Sequence, residues 1–314
     1  MNKQNSFITS YCLAVAVMLA LLGPLAQKGW GDFILLNDEQ FTVNSFHNQG
    51  TLYDRSRVFI VLGGEVRGLR IQDSSTANIS GGSVSSLDAR DYSTVNISSG
   101  NVTILYANES SVVGMSGGFL EDHLISCALS VVNLSGGNVS RLWPCNSSTA
   151  NISGGDMEYL TAYDSSTNNI SGGYMAYLYA EGSSTVNLSG GNVSHLYAHD
   201  SSVVTFYGRD FLASGGLILD GERVLGTGNL SGVWMDGTWW AVNIHGNPPT
   251  ATIRAIPEPA TLLLLGLGAV MLRRRCHGNP YYRVQKHQCE LFSQHKLVPW
   301  LITKKSLLFR RYAE

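Results

Sequence analysis

The chain has 314 residues, a formal net charge of −2, only 14% charged residues and 34 glycines. That balance excludes a basic nucleic-acid binder, whose clustered Lys and Arg must displace phosphate counterions. With so few charges, solubility rests on Ser, Thr and Asn, as in many extracellular repeat proteins.

Chain order begins with an export signal. Lys3 precedes an apolar run from Ile8 to Leu22, which Gly23 and Pro24 then break. That is the order of a secretory signal peptide, here assigned to residues 1–31 with the cut between Ala26 and Gly31. The alternative is an uncleaved anchor helix, for which the apolar run is short. Residues 32–54 follow as a lead-in that covers one end of the next region.

Residues 55–207 repeat. In "STANISGG", "STVNISSG", "VVGMSGG", "VVNLSGG", "STANISGG", "STNNISGG" and "STVNLSGG" the central position falls at Asn78, Asn96, Gly114, Asn133, Asn151, Asn169 and Asn187. Every step is 18 residues except one of 19, whose extra residue sits in "FLEDHL", Phe119 to Leu124. Within a unit, Val186 and Leu188 alternate with Thr185, Asn187 and Ser189; Gly190 and Gly191 turn the chain; Val193, Leu196 and Ala198 form a second apolar set before "HDSS" turns it again. No unit can bury its apolar face alone, but stacked units can. The expected fold is all-β: a β-solenoid, parallel β-helix-like, of about eight such coils, about 38 Å long at the 4.8 Å strand spacing.

Stacking turns repeat positions into exposed columns. One is Thr-x-Asn: Thr76 and Asn78, Thr94 and Asn96, Thr149 and Asn151, Thr167 and Asn169, Thr185 and Asn187, interrupted by Val112 and Val131. It reads either as a structural ladder or as a hydroxyl and amide lattice for ice or glycan. A second column is aromatic. Tyr106, Trp143, Tyr179 and Tyr197 share one position, with Tyr159, Tyr177 and His195 two residues earlier on the same outward face. Such rings either stack on one another and stiffen the rod or stack on sugars. A third, Asp73, Asp91, Asp164 and Asp200, reads as a solvated turn rather than a calcium site, because the repeat lacks the Gly-Gly-x-Gly-x-Asp pattern.

Cys127 and Cys145 are one repeat apart, so they sit on adjacent coils within disulfide reach, and an exported chain meets an oxidising compartment. No Cys/His spacing suits zinc, and no nucleophile elbow, phosphate loop or His-Glu-x-x-His occurs. No cofactor, metal or catalytic residue is therefore expected. Residues 208–256, with "GTGNLSGVWMDGTWWAVNIHG", read as a short β-rich cap over the open end of the stack.

Then come Pro257, Glu258 and Pro259, an apolar run from Ala260 to Leu272, and Arg273, Arg274 and Arg275. Three unlike elements in this order within residues 257–275, behind an N-terminal signal, resemble a PEP-CTERM sorting signal of exported Gram-negative proteins. The resemblance implies export through the Sec translocon and a transient inner-membrane stop held by the arginines on the cytoplasmic side. An exosortase would then cut near the Pro-Glu-Pro and deliver the protein to the cell surface or outside, often in organisms that make polysaccharide and biofilm matrix. Family members usually end near the arginines, whereas residues 276–314 follow here with seven Lys/Arg against two Glu. That tail reads as a read-through product, a basic segment on the anionic inner leaflet, or a small separate element.

Two function classes stand against each other. One is a non-catalytic surface or matrix protein that spaces, adheres or binds extracellular polysaccharide. The other is a polysaccharide lyase or hydrolase on a β-helix, with ice binding by the Thr-x-Asn face as a further alternative. Short, near-identical turns favour the first, since catalytic solenoids carry irregular coils whose long loops bring acids and bases together.

Overall fold

Each repeat carries two alternating segments that only the next coil can cover, and the chain accordingly winds upon itself as a β-solenoid. The computed structural model describes residues 31–246 and 250–257. The assigned signal peptide, most of the sorting signal and the basic tail lie outside the described residues. Among the described residues no helix is long and apolar enough to cross a membrane.

The first coils are made of short strands: β1 (Phe33–Leu35), β2 (Gln40–Val43), β3 (Phe46–Leu52), β4 (Arg57–Ile60) and β5 (Glu65–Ile71). From there each coil is one long bent strand: β6 (Thr76–Ala89), β7 (Thr94–Ala107), β8 (Val112–Ser126), β9 (Val131–Pro144), β10 (Thr149–Ala162), β11 (Thr167–Ala180) and β12 (Thr185–Ala198). Neighbouring coils pair in parallel, equivalent residue on equivalent residue: Thr149 with Thr167, and Thr167 with Thr185. The 19-residue step is a one-residue bulge. Val102 faces Leu120 but Ile104 faces His123, so Glu121 and Asp122 oppose a single residue of the preceding coil.

The stack holds about ten turns, more than the eight or so counted from the repeat motif. Residues 32–54 account for the difference. They lack the Ser-Gly-Gly signature, yet β1 and β2 pair in parallel with β3 and β4, so the lead-in is itself wound into the solenoid. What a coil needs is inward apolar residues at the right spacing, and Leu35, Val43 and Leu52 supply them, all buried.

Inside, like stacks on like. Ile79, Ile97, Met115, Leu134, Ile152, Ile170 and Leu188 form one buried column, and Leu87, Leu105, Leu124, Leu142, Leu160, Leu178 and Leu196 another. A sixth inward position, just before each long strand, is a fully buried serine, as in Ser75, Ser93, Ser111, Ser130, Ser148, Ser166 and Ser184. At Ser75 and Ser130 the hydroxyl donates to the carbonyl three residues back, at 2.7 and 2.8 Å. Asn168 interrupts the column of Val132, Ala150 and Val186, fully buried.

The Gly-Gly corner has a steric cause. A Cβ on Gly154 would lie 2.5 Å from the Ser135 carbonyl oxygen of the coil below. Gly155 has φ 89°, a left-handed conformation that side chains resist.

Both ends of the core are closed by aromatic groups. At the first, Phe33, Phe41 and His47 pack ring to ring, with centroids 5.0 to 5.4 Å apart. At the other, β13 (Val203–Ser214) leaves the stack and the chain folds back through β14 (Ile218–Asp220), β15 (Arg223–Leu225), β16 (Gly228–Val233) and β17 (Trp239–Ile244), which pair antiparallel. Trp240 packs near-parallel against both Phe206, at 5.0 Å, and Trp234, at 4.5 Å, and those two rings are 6.5 Å apart. The Trp234 indole N–H donates to the Gly191 carbonyl at 2.8 Å, fastening the cap to the last regular coil. Finally β18 (Thr252–Pro257) returns to the solenoid and runs parallel to β13, with Val204 facing Ile253.

Candidate functional site

Chemistry on a solenoid is written on its outer columns, because every coil repeats the same outward positions at one strand spacing. The Asn column is hydrogen-bonded along the stack. Asn96 Nδ2 donates to Asn78 Oδ1, and Asn151, Asn169 and Asn187 do the same to Asn133, Asn151 and Asn169, each at 3.0 Å. Beside it, Ser98, Ser135, Ser153 and Ser171 donate their hydroxyls to backbone carbonyls of the preceding coil at 3.2 to 3.4 Å. Between the two columns lies a groove of about 490 Å³ lined by Asn, Ser, Gly and aliphatic residues without a single charged group.

Of the seven aromatic positions, those toward the cap stack on each other. Tyr159 lies on Tyr177 at 5.0 Å and Tyr177 on His195 at 5.1 Å; alongside, Tyr179 lies on Tyr197 at 4.7 Å, all within 16° of parallel. The ring faces are thus turned toward one another and only edges and hydroxyls point outward. Packing raises the Tyr159 and Tyr179 hydroxyls above the ordinary phenol value by desolvation, with Glu158 and Tyr197 respectively adding to it. Tyr106 is exposed and outside the stack, and Trp143 instead meets His123 edge-on at 4.4 Å. At the bulge, Asp122 binds His123 at 2.7 Å and Arg141 at 2.8 Å.

Sequence reading missed how this stack ends. His245 of the cap lies on Tyr197 at 4.8 Å and its Nε2 is 2.8 Å from His195 Nδ1, so one imidazole pair joins both aromatic ladders. No periodicity signals His245, which follows His195 by 50 residues.

The acidic column occupies a left-handed turn position: Asp54, Asp73, Asp91, Asp164 and Asp200 all have φ between 54° and 57°. Asp and Asn tolerate this conformation better than other side chains. Each carboxylate accepts the N–H of the equivalent residue one coil earlier: Asp73 from Asp54, Asp91 from Asp73, Asp164 from Asn146 and Asp200 from Gly182, at 3.0 to 3.1 Å. The column is thereby engaged by the backbone, and among the described residues no cluster of three His, Cys, Asp or Glu is arranged for a metal. Next to it Cys127 and Cys145 are joined as a disulfide across adjacent coils, with Cα atoms 4.8 Å apart.

Of the sorting residues, Pro257 closes β18, while Glu258, Pro259, Arg273, Arg274 and Arg275 lie outside the described residues. Ile253 and Ala255 of β18 are buried. The family description that matches the chain is the PEP-CTERM protein-sorting motif, over residues 255–275. No curated protein and no solved structure matches the chain. The motif identifies an exported exosortase substrate bound for the cell surface.

Proposed function

We propose that this exported β-solenoid is a non-catalytic rod of the cell surface or extracellular matrix, which spaces cells or adheres to polysaccharide. The observation that carries the reading is the engagement of its outer columns. Asn bonds Asn, Asp bonds backbone N–H and Tyr lies on Tyr, coil after coil. Glycoside cleavage needs an acid and a base that converge on a sugar and are free to exchange protons with it. Side chains held by their own equivalents along the stack suit stiffness and repeated weak contact instead.

In this reading the chain passes the Sec translocon, pauses in the inner membrane on Ala260 to Leu272 and is released from it by the exosortase. The test is the intact mass of the protein from the envelope and from the medium of its native host. A product that begins near residues 27–32 and ends close to Pro257 supports a released rod; one that retains residues 276–314 replaces the matrix role with a membrane-tethered one. Depolymerisation of acidic polysaccharide by the purified protein would overturn the non-catalytic assignment.

A further inference from the structure

The Asn ladder has one missing rung. Six of the seven repeats carry Asn at this position, and the seventh carries Gly114, which pairs with Asn96 on one side and Asn133 on the other. The ladder is complete and equally polarised on both sides of the gap: Asn96 donates to Asn78, and Asn133 accepts from Asn151, each at 3.0 Å. Asn96 Oδ1 is therefore left as an acceptor on one lip of the gap, and Asn133 Nδ2 as a donor on the other. A Cβ on Gly114 would lie 3.4 Å from Asn96 Oδ1, so that oxygen is aimed at the vacant position. The lips are two coil spacings apart, about 9.6 Å between backbones, the span that one carboxamide bridges everywhere else in the column. The gap opens into the uncharged groove of about 490 Å³, whose lining includes Asn96, Gly114, Ser116 and Asn133.

From this we infer that the gap at Gly114 is a binding site for an acetamido group, carried by a neutral polysaccharide of N-acetylated amino sugars lying in the groove. The group that completes an amide ladder is another amide. A trans secondary acetamide points its N–H and its C=O in opposite directions, so it donates to Asn96 Oδ1 and accepts from Asn133 Nδ2 at once. The absence of charge in the groove disfavours an acidic polymer, since no Lys or Arg offsets the desolvation of a carboxylate. Both hydrogen bonds face water, so one site binds weakly, and a polymer gains its affinity by combining this contact with others along the groove.

The inference rests on the polysaccharide-binding form of the proposed function. It is tested on the purified full chain by titration calorimetry with N-acetylchitohexaose and cellohexaose, which share a backbone and differ in the acetamido group. The expected result is binding of the first and roughly tenfold weaker binding of the second, the worth of two lost hydrogen bonds. Gly114→Asn rebuilds the rung and is expected to weaken N-acetylchitohexaose binding by a similar factor while the melting temperature holds or rises. A melting temperature of Gly114→Asn at or above that of the wild type separates loss of the site from loss of the fold. Equal affinity for the two oligosaccharides, no measurable binding of either, or binding unchanged by Gly114→Asn would each overturn the site. The surface or matrix assignment stands or falls separately, on the mass of the envelope and medium products.

Discussion

Asp91 accepts a 3.0 Å hydrogen bond from the backbone N–H of Asp73, one coil earlier in the stack. Both residues are in the left-handed region, so the carboxylate satisfies an N–H that the turn removes from the regular ladder. That bond, together with the Glu109 side chain, holds the Asp91 carboxyl below the usual carboxylate range. A lowered folded value stabilises the fold above the unfolded value, about pH 4, and the contribution disappears as the pH falls through the folded one. Urea midpoints at pH 7 and pH 3 are expected to differ more for the wild type than for Asp91→Asn. The variant is expected to lose about 1 kcal/mol at pH 7, a charge-assisted bond weakened by its exposure to water.

Asn168 is fully buried in an apolar column; its Nδ2 reaches Ser166 Oγ at 3.2 Å and its Oδ1 has no partner. Replacing it with Val, as at Val186 one coil on, is expected to stabilise the solenoid by about 1–2 kcal/mol by removing an unmet buried acceptor. Chemical denaturation of Asn168→Val measures this, and a loss of stability would show that Oδ1 is satisfied.

Gly155 at the corner of β10 and Gly114 in the Asn column of β8 predict different outcomes. Gly155→Ala forces a Cβ to 2.7 Å from the Gly137 carbonyl oxygen at a φ of 89°, and is expected to cost more than about 1 kcal/mol. Gly114→Ala, whose Cβ meets nothing closer than 3.4 Å, is expected to stay within about 0.5 kcal/mol of wild type. Thermal melts of the pair check both.

Trp240 is buried against Phe206 and Trp234 at the end of the core. Trp240→Ala is expected to cost about 3–5 kcal/mol and to expose the terminal edge of the sheet, which then associates with other copies. Light scattering beside a denaturation curve reads both effects.

The disulfide between Cys127 and Cys145 closes a loop across 18 positions. A loop of that length constrains the unfolded chain by about 3 kcal/mol. The double variant Cys127→Ser with Cys145→Ser, compared with the wild type with and without reductant, is expected to show that difference in the urea midpoint, and reductant is expected to leave the variant unchanged.

Much of this molecule was readable because its contacts are periodic. When residue 151 meets residues 133 and 169, the tertiary neighbour is also the residue one repeat away, so the Asn ladder, the cysteine pair and the inward Leu column follow from counting alone. Residues 32–54 were harder to read, since a coil can be built without the motif that made the others recognisable. The aromatic column was visible as a shared face, but whether its rings offer faces or edges to water depends on side-chain torsions that spacing does not specify.

By itself, then, the sequence determined the fold class, the inward residues and the sorting motif, because each depends on local pattern or on a fixed repeat. Only the tertiary structure decided what happens where the period breaks. It brought His245 to His195, Trp234 to Gly191 and strand β18, which leads into the sorting motif, onto β13, and it left Gly114 as a gap between two amides. The physical reason is the same in each case: an aperiodic contact is set by the path the chain takes through space, and no spacing along it encodes that path.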